Sequence, residues 1–529
     1  MTDLEIPYEK NRTKRYRFFE ILPGSLSWLL LFLPLILSLI NVTAAVFFIL
    51  AYILIYFTRA LAVAIRALAG YRTMRQHEKI DWNLLLDEVE LGEIAGHARR
   101  PKWHYNNLQR LQAGTIIVKP SELIHAIIIA TYNESRDVLE PTIQAIINSS
   151  YNVKKQVIFI LAYEERGGER VEKQSKELVA QYKSAFRHAF FVKHPNGIPG
   201  EVIGKGGNIT YAGRRLQEYL EEQHIDPLHV VVTTLDSDNR PDKKYLPALS
   251  YLYSVSPNPT RASYQPLPMY TNNIWDAPAP MRVIATGNNF FYIVLTQRPH
   301  MERNFSAHAQ SMQALIDMDF WSVRTIVEDG HHFWRSYFRY EGDYRVYPMS
   351  IPIYQDAVLA DTYLKTLKAQ FIQLRRWTYG ASDIAYIANQ GFFKKNKVPK
   401  FDLITKFLRA LEGHVNWAAG ALLLAFAAFI PVLLNPENYA ANQLPITVSR
   451  IQTIGLLGVS ASLFITLKTL PPRPARYRRH RTIFMILQWA YLPVTTIAYG
   501  SLAAFYSQTR LMFGWYLTKF DVTDKAVKK

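Results

Sequence analysis

Residues 21–58 contain no charged side chain. A helix needs roughly 20 apolar residues to cross a hydrocarbon core about 30 Å thick, so this run is long enough for nearly two crossings. A break at Asn41, with a second helix continuing past Arg59 toward Ile65, predicts a helical hairpin whose arginine snorkels to the interface. A polar arm precedes the run and another apolar run follows at once, a pattern that does not fit a cleaved signal peptide.

Three more apolar stretches lie near the other end, at 415–434, 451–467 and 482–508. Loop charges orient such spans, because cytoplasmic loops carry the excess of Lys and Arg. The N-terminal arm "KNRTKRYR", the stretch "RALAGYRTMRQHEK" and the loop "PPRPARYRRHR" are basic, whereas 435–449 has neither Lys nor Arg. This predicts a multi-pass protein of the cell membrane with everything between Arg66 and about Lys400 in the cytoplasm. Five crossings would leave the tail, with Arg510, Lys519, Lys525, Lys528 and Lys529, on the outer side against the same rule. A re-entrant segment around Pro493 would return it.

The formal net charge is +18 and there is no cysteine. The latter excludes disulfides, thiolate catalysis and Cys-ligated metal sites. Basic residues mostly border the apolar spans, so anionic lipid headgroups are the counter-charge expected. A nucleic-acid partner is not expected, since it would need basic residues gathered on a soluble face with aromatic stacking partners.

The middle of the chain alternates short β-branched runs, "IHAIIIA", "QVIFILA", "AFFV" and "HVVVTTL", with helical patterns. That order predicts an α/β domain with a mostly parallel sheet covered on both faces. Ligands of such sheets bind beyond the carboxyl ends of the strands. There the sequence places "TYNES", "YEERGG" and "DSDN", three acidic turns suited to a hard divalent cation carrying a phosphate. Asp236 and Asp238 follow an apolar strand, so one turn can aim both at one ion. The similar pairs Asp317/Asp319 and Glu88/Glu90 sit in helical contexts where they diverge, and are read as structural. "GKGGN" opens a helix, and glycines beside Lys205 at a helix start form a ready anion site. In "IVEDGHHFW", Glu328 and Asp329 are either a helix-start acid pair or a place for a general base. His331 and His332 point in different directions, which favours supporting or surface roles over a metal site.

The order TYNE, strand-end acids, KGGN, DSD, ED and finally Gln373-Leu374-Arg375-Arg376-Trp377 resembles the membrane-embedded family 2 glycosyltransferases, the group containing cellulose, chitin and hyaluronan synthases. The resemblance covers roughly 124–380 and the flanking spans, and its most specific part matches the family's Q-x-x-R-W. It implies a GT-A fold over 67–400, inserted between an arm (1–20) with a transmembrane hairpin (21–66) and about three C-terminal spans (401–529). It implies inverting transfer from a nucleotide-sugar, most often a UDP-sugar. Thr131, Tyr132, Glu134, Glu165, Lys205, Asp236, Gln373 and Arg376 would then hold the nucleotide-sugar. Asp236 and Asp238 would hold Mg2+ or Mn2+, Asp329 would be the base, and Gly287, Glu328 and Trp377 would meet the acceptor, with Gly287 on an acceptor-contacting strand.

The sequence departs from the pattern in carrying Glu164-Glu165-Arg166 where many members have a DDG-like turn, and in its small membrane complement. Three readings follow for the acceptor side: a growing polysaccharide, a single sugar placed on a glycolipid or polyprenyl phosphate, or a non-catalytic sugar-binding scaffold. A further stretch, "FDLITKFLRAL" (401–411), reads as an amphipathic helix lying on the membrane.

Overall fold

Side chains alternate across a strand, so a run that is apolar at every position is stable only with both faces covered. The computed structural model, which describes residues 4–97, 99–114 and 118–519, arranges these runs in one eight-stranded sheet. The strands are β1 (Ile124–Thr131), β2 (Val157–Glu164), β3 (His188–His194), β4 (Val230–Asp236), β5 (Arg240–Pro241), β6 (Ala262–Tyr270), β7 (His308–Ser311) and β8 (Arg345–Gln355), in the order β3-β2-β1-β4-β7-β6-β8-β5. One half is parallel: β1 lies between β2 and β4, and β3 flanks β2. The other half is mixed, with β7 antiparallel to both β4 and β6, and β8 parallel to β6 but antiparallel to β5. The chain is thus α/β with a mixed sheet, less uniformly parallel than the sequence predicts.

Two cores sandwich the parallel half. Ile127, Ile129, Phe159 and Leu161 pack with Leu139 and Ile143 on one face, while Ile128, Ile158 and Ile160 pack with Leu216 and Trp321 on the other. At about 25 cal/mol per Å² of apolar surface removed from water, these two layers supply the main driving force for the domain.

Four helices among the described residues are long and apolar enough to cross a membrane: Lys14–Ile40, Val42–His77, Tyr439–Thr469 and Arg481–Phe513. The first two divide at Asn41, whose Oδ1 accepts from the Ala44 N–H at 3.1 Å and so caps the second helix. That helix runs on to His77, so the basic stretch expected after the hairpin is its last turns. Leu29, Phe32, Ile40, Phe47 and Ile55 project outward from the pair, an apolar surface suited to lipid.

The C-terminal end differs from expectation. The stretch 415–434 is shared between the helices Lys400–Phe426 and Phe429–Leu434, and is not among the four. The amphipathic stretch expected to lie on the membrane is the first half of Lys400–Phe426. The last span is irregular around Pro493, passing through a 3-10 turn at Gln488–Tyr491 and π geometry at Thr496–Ser501, as a proline that removes a backbone donor requires. Lys525, Lys528 and Lys529 lie outside the described residues.

Candidate functional site

Because β1, β2 and β4 are parallel neighbours, the turns that follow them share one edge of the sheet. That edge opens into a cavity of about 940 Å3, near the upper end of the roughly 300–1,000 Å3 common for a single small ligand.

After β1, Thr131, Tyr132 and Glu134 line the cavity. The turn is held by Glu134 itself, whose Oε2 accepts from Thr131 Oγ1 and the Tyr132 N–H, both at 2.8 Å. After β2 the cavity is lined by Glu164 rather than the expected Glu165. Glu165 turns away, pairing with Lys193 at 3.2 Å and accepting from the Asn196 N–H at 2.9 Å. β2 ends at Glu164 and Glu165 opens the 3-10 turn after it, which separates the two side chains. Glu164 is held by Arg166 and by His194 Nδ1 at 3.2 Å, and the second nitrogen of His194 lies 3.0 Å from Glu201. Burial opposes charge on His194, but the two carboxylates outweigh it and raise the imidazole to about 9. Gly167 keeps the β1 and β2 turns in contact: a Cβ there would fall 2.2 Å from the Tyr132 carbonyl oxygen.

After β4, Asp236 and Asp238 both line the cavity. Lys205, first residue of the helix Lys205–Glu222, places Nζ 2.7 Å from Asp236 Oδ1 and 2.8 Å from the Ser306 carbonyl oxygen. Asp238 is fixed from the far half of the sheet: Asp356, just past β8, donates its N–H to Oδ2 at 3.0 Å, and Asn272 Nδ2 donates to the Asp238 carbonyl at 3.0 Å. Asp356 also lines the cavity. Asp236, Asp238 and Asp356 line one space, and carboxylate oxygens are the hard donors that Mg2+ and Mn2+ take. No cluster of three or more His, Cys, Asp or Glu positioned to hold a metal ion occurs among the described residues. The arrangement therefore fits an ion held by one or two carboxylates with phosphate oxygens completing its shell, a usual mode for Mg2+.

Glu328 and Asp329 start the helix Glu328–Arg339, where its dipole favours anions. Both line the cavity. The helix-start and cavity positions expected as alternatives thus coincide. Desolvation raises both carboxyls, the Asp329 charge raises Glu328 further, and Lys205 and Arg376 work against the rise in each. Gly206 permits the close approach of the Lys205 helix, since a Cβ there would lie 2.5 Å from the Ser322 carbonyl and 3.2 Å from Glu328 Cβ. His331 and His332 are fully buried rather than on the surface. His331 Nδ1 lies 2.7 Å from Asp383 and His332 Nε2 lies 2.7 Å from Gln310.

The helix Tyr363–Thr378 brings Gln373, Arg376 and Trp377 to the same cavity. The adjacent arginines diverge, with Arg375 lying 5.6 Å from the Tyr506 ring centroid on the span side. Trp377 lies against Tyr270, ring centroids 6.3 Å apart. Ser507 of the last span donates to the Arg375 carbonyl at 2.6 Å and Thr378 Oγ1 donates to the Ala503 carbonyl at 3.1 Å. These bonds tie the helix to the apolar bundle.

The segment around Gly287 is not a strand but part of the helix Ala279–Leu295. Asn288 and Phe290 line the cavity and Gly287 does not. Several lining residues escape the sequence reading, among them Asp356, Asp383, Arg298, Arg303, Lys406 and Arg409. The last two lie on the stretch read as an ordinary interfacial helix.

No protein-family model and no curated protein matches the chain. Among solved structures it is similar to the mannosyltransferase PcManGT from Pyrobaculum calidifontis in complex with GDP-Man and Mn2+, at 14% identity and a TM-score of 0.40, over 77% of this chain and 99% of that one. It is also similar to S. aureus TarS 1-349 in complex with UDP-GlcNAc, at 10% identity and a TM-score of 0.35, over 74% of this chain and 92% of the other.

Proposed function

We propose that the protein is a membrane-bound, inverting glycosyltransferase of family 2 type that moves a sugar from a UDP-linked nucleotide-sugar to a hydroxyl of a growing cell-envelope glycan. The observation that carries this reading is the shared cavity: Lys205, Asp236, Asp238, Asp329, Gln373 and Arg376, drawn from four separate stretches of sequence, all line one space. The resemblance through Q-x-x-R-W assigns the same residues to one reaction.

In that reaction the acceptor oxygen bonds to the anomeric carbon while the bond from that carbon to the diphosphate oxygen breaks. Asp329 takes the hydroxyl proton, and the electron pair leaves with the nucleoside diphosphate. Negative charge grows on the leaving group, so groups that favour it there lower the barrier. Arg376 offers a planar fork matched to phosphate oxygens, and Lys205 a compact charge at a helix N-terminus. Asp236 and Asp238 would hold Mg2+ or Mn2+, which would neutralise further charge on the diphosphate. Trp377 gives the acceptor sugar a flat apolar face. The raised Asp329 carboxyl suits a general base, whose efficiency is greatest when its pKa approaches the working pH. On this reading the α/β domain is a GT-A domain on the cytoplasmic side of the four candidate spans.

Membranes containing the protein, given radiolabelled nucleotide-sugars, should build labelled product that requires Asp329. Nucleotide-sugar binding without any turnover would instead identify a sugar-binding scaffold.

A further inference from the structure

Away from the sheet edge the cavity extends between the helices Val42–His77, Ala279–Leu295 and Lys400–Phe426, where its lining changes character. Arg298, Arg303, Lys406 and Arg409 join the lining there, together with His300. Two nearby cations are already neutralised: Lys406 pairs with Asp402 and Arg59 with Glu412. Among the described residues, no carboxylate pairs with Arg298 or Arg409. Burial and the charges of Arg66, Arg409 and Arg59 oppose the Arg298 guanidinium, with Glu412 working against them more weakly, so an anion bound here would relieve the arm. Glu302, the acid beside Arg303, adds little compensation because burial raises its carboxyl to about 8.

Snorkelling arginines reach outward to headgroups. Arg298, half-buried, and Arg409, exposed, line the same cavity as the donor-side acids. Tyr56, Val63, Phe291 and Trp417 also line the cavity, and Phe291 is 52% exposed. Cations beside these aromatic and aliphatic groups complement an amphiphile with an anionic head, and Tyr56 and Val63 lie on a helix long and apolar enough to cross a bilayer.

We propose that this arm binds the phosphate of a lipid-linked acceptor, placing a hydroxyl carried beyond that phosphate within reach of Asp329. The inference rests on the donor reading above and adds to it the class of acceptor. The phosphate is a handle, and the nucleophile remains the hydroxyl whose proton passes to Asp329.

The test uses purified full-length protein in phosphatidylcholine nanodiscs, titrated with a fifteen-carbon prenyl monophosphate, the corresponding prenyl alcohol, inorganic phosphate and, separately, UDP with Mn2+. The prenyl phosphate should bind about tenfold or more tighter than the alcohol or free phosphate, as expected for charge-assisted contacts. Arg298→Gln with Arg409→Gln should weaken it about tenfold or more while UDP affinity stays unchanged. Arg409 is exposed, so Arg409→Gln alone keeps the fold and should show part of the loss. Equal binding of alcohol and phosphate, full retention of affinity in the double variant, or equally effective displacement by phosphatidylglycerol would each overturn the proposal. Absence of UDP binding in the unaltered protein would instead remove the donor reading beneath it.

Discussion

Lys205 Nζ lies 2.7 Å from Asp236 Oδ1, joining the start of the Lys205–Glu222 helix to the end of β4. A lysine in this position holds the first acid of the DSD turn and faces the space assigned to the diphosphate. Its charge also lowers both raised carboxyls of the Glu328–Asp329 pair. Lys205→Met should therefore do two things. UDP affinity should fall about tenfold or more, the loss of one charge-assisted contact. The acid limb of the transfer rate should also move to higher pH, because Asp329 loses a cation that favours its ionised form. A titration and a pH–rate profile read the two effects separately.

Asp329→Asn should lose a factor of about 10² to 10⁴ or more in transfer rate, the usual contribution of a positioned base, with nucleotide binding little changed. In the unaltered protein, transfer should fall as pH drops through a value above the ordinary aspartate value of about 3.9, since only the ionised carboxylate accepts the proton. Full turnover by the variant would remove Asp329 from this role.

His194 should make stability depend on pH. Its folded-state pKa of about 9 exceeds the unfolded value of about 6.5, so its contribution is complete below about pH 6.5 and is lost as pH rises through about 9. The contribution is at most about 3 kcal/mol. The melting temperature of the unaltered protein should decline across that window, and His194→Gln should flatten the decline. An identical slope in both would contradict the pairing with Glu164 and Glu201.

Gly167→Ala tests the contact between the first two turns. A methyl group 2.2 Å from the Tyr132 carbonyl oxygen forces the backbone apart, at a cost of about 1–3 kcal/mol for overpacking. Melting temperature and UDP affinity should both drop, whereas Gly287→Ala, with nothing within 4 Å of the added carbon, should leave stability nearly unchanged.

The parallel half of the sheet was legible in the sequence because β1, β2 and β4 are unbroken β-branched runs, and an acidic turn after each can only gather at one edge. The other half was not. β6 and β8 contain Pro266, Pro268, Pro348 and Pro352, which interrupt the strand signal, and their pairing shifts register between Gln265 and Leu267. Asp356 was missed for that reason, since only β8 carries it to Asp238. Glu164 ends β2 and Glu165 starts the turn after it, a boundary the sequence does not mark, so the sequence points to Glu165 where the cavity has Glu164. Lys406 and Arg409 escaped notice because an amphipathic helix facing a cavity and one facing a membrane have the same periodicity.

The central claim is that the Asp238 turn and the Arg376 helix act on one diphosphate. A double-mutant cycle on Mn2+-dependent UDP binding, with Asp238→Asn and Arg376→Ala, tests it most directly. Groups sharing a ligand and a metal should couple, giving an interaction energy on the order of 1 kcal/mol or more. Effects additive to within about 0.5 kcal/mol, or UDP binding indifferent to both substitutions, would contradict the account.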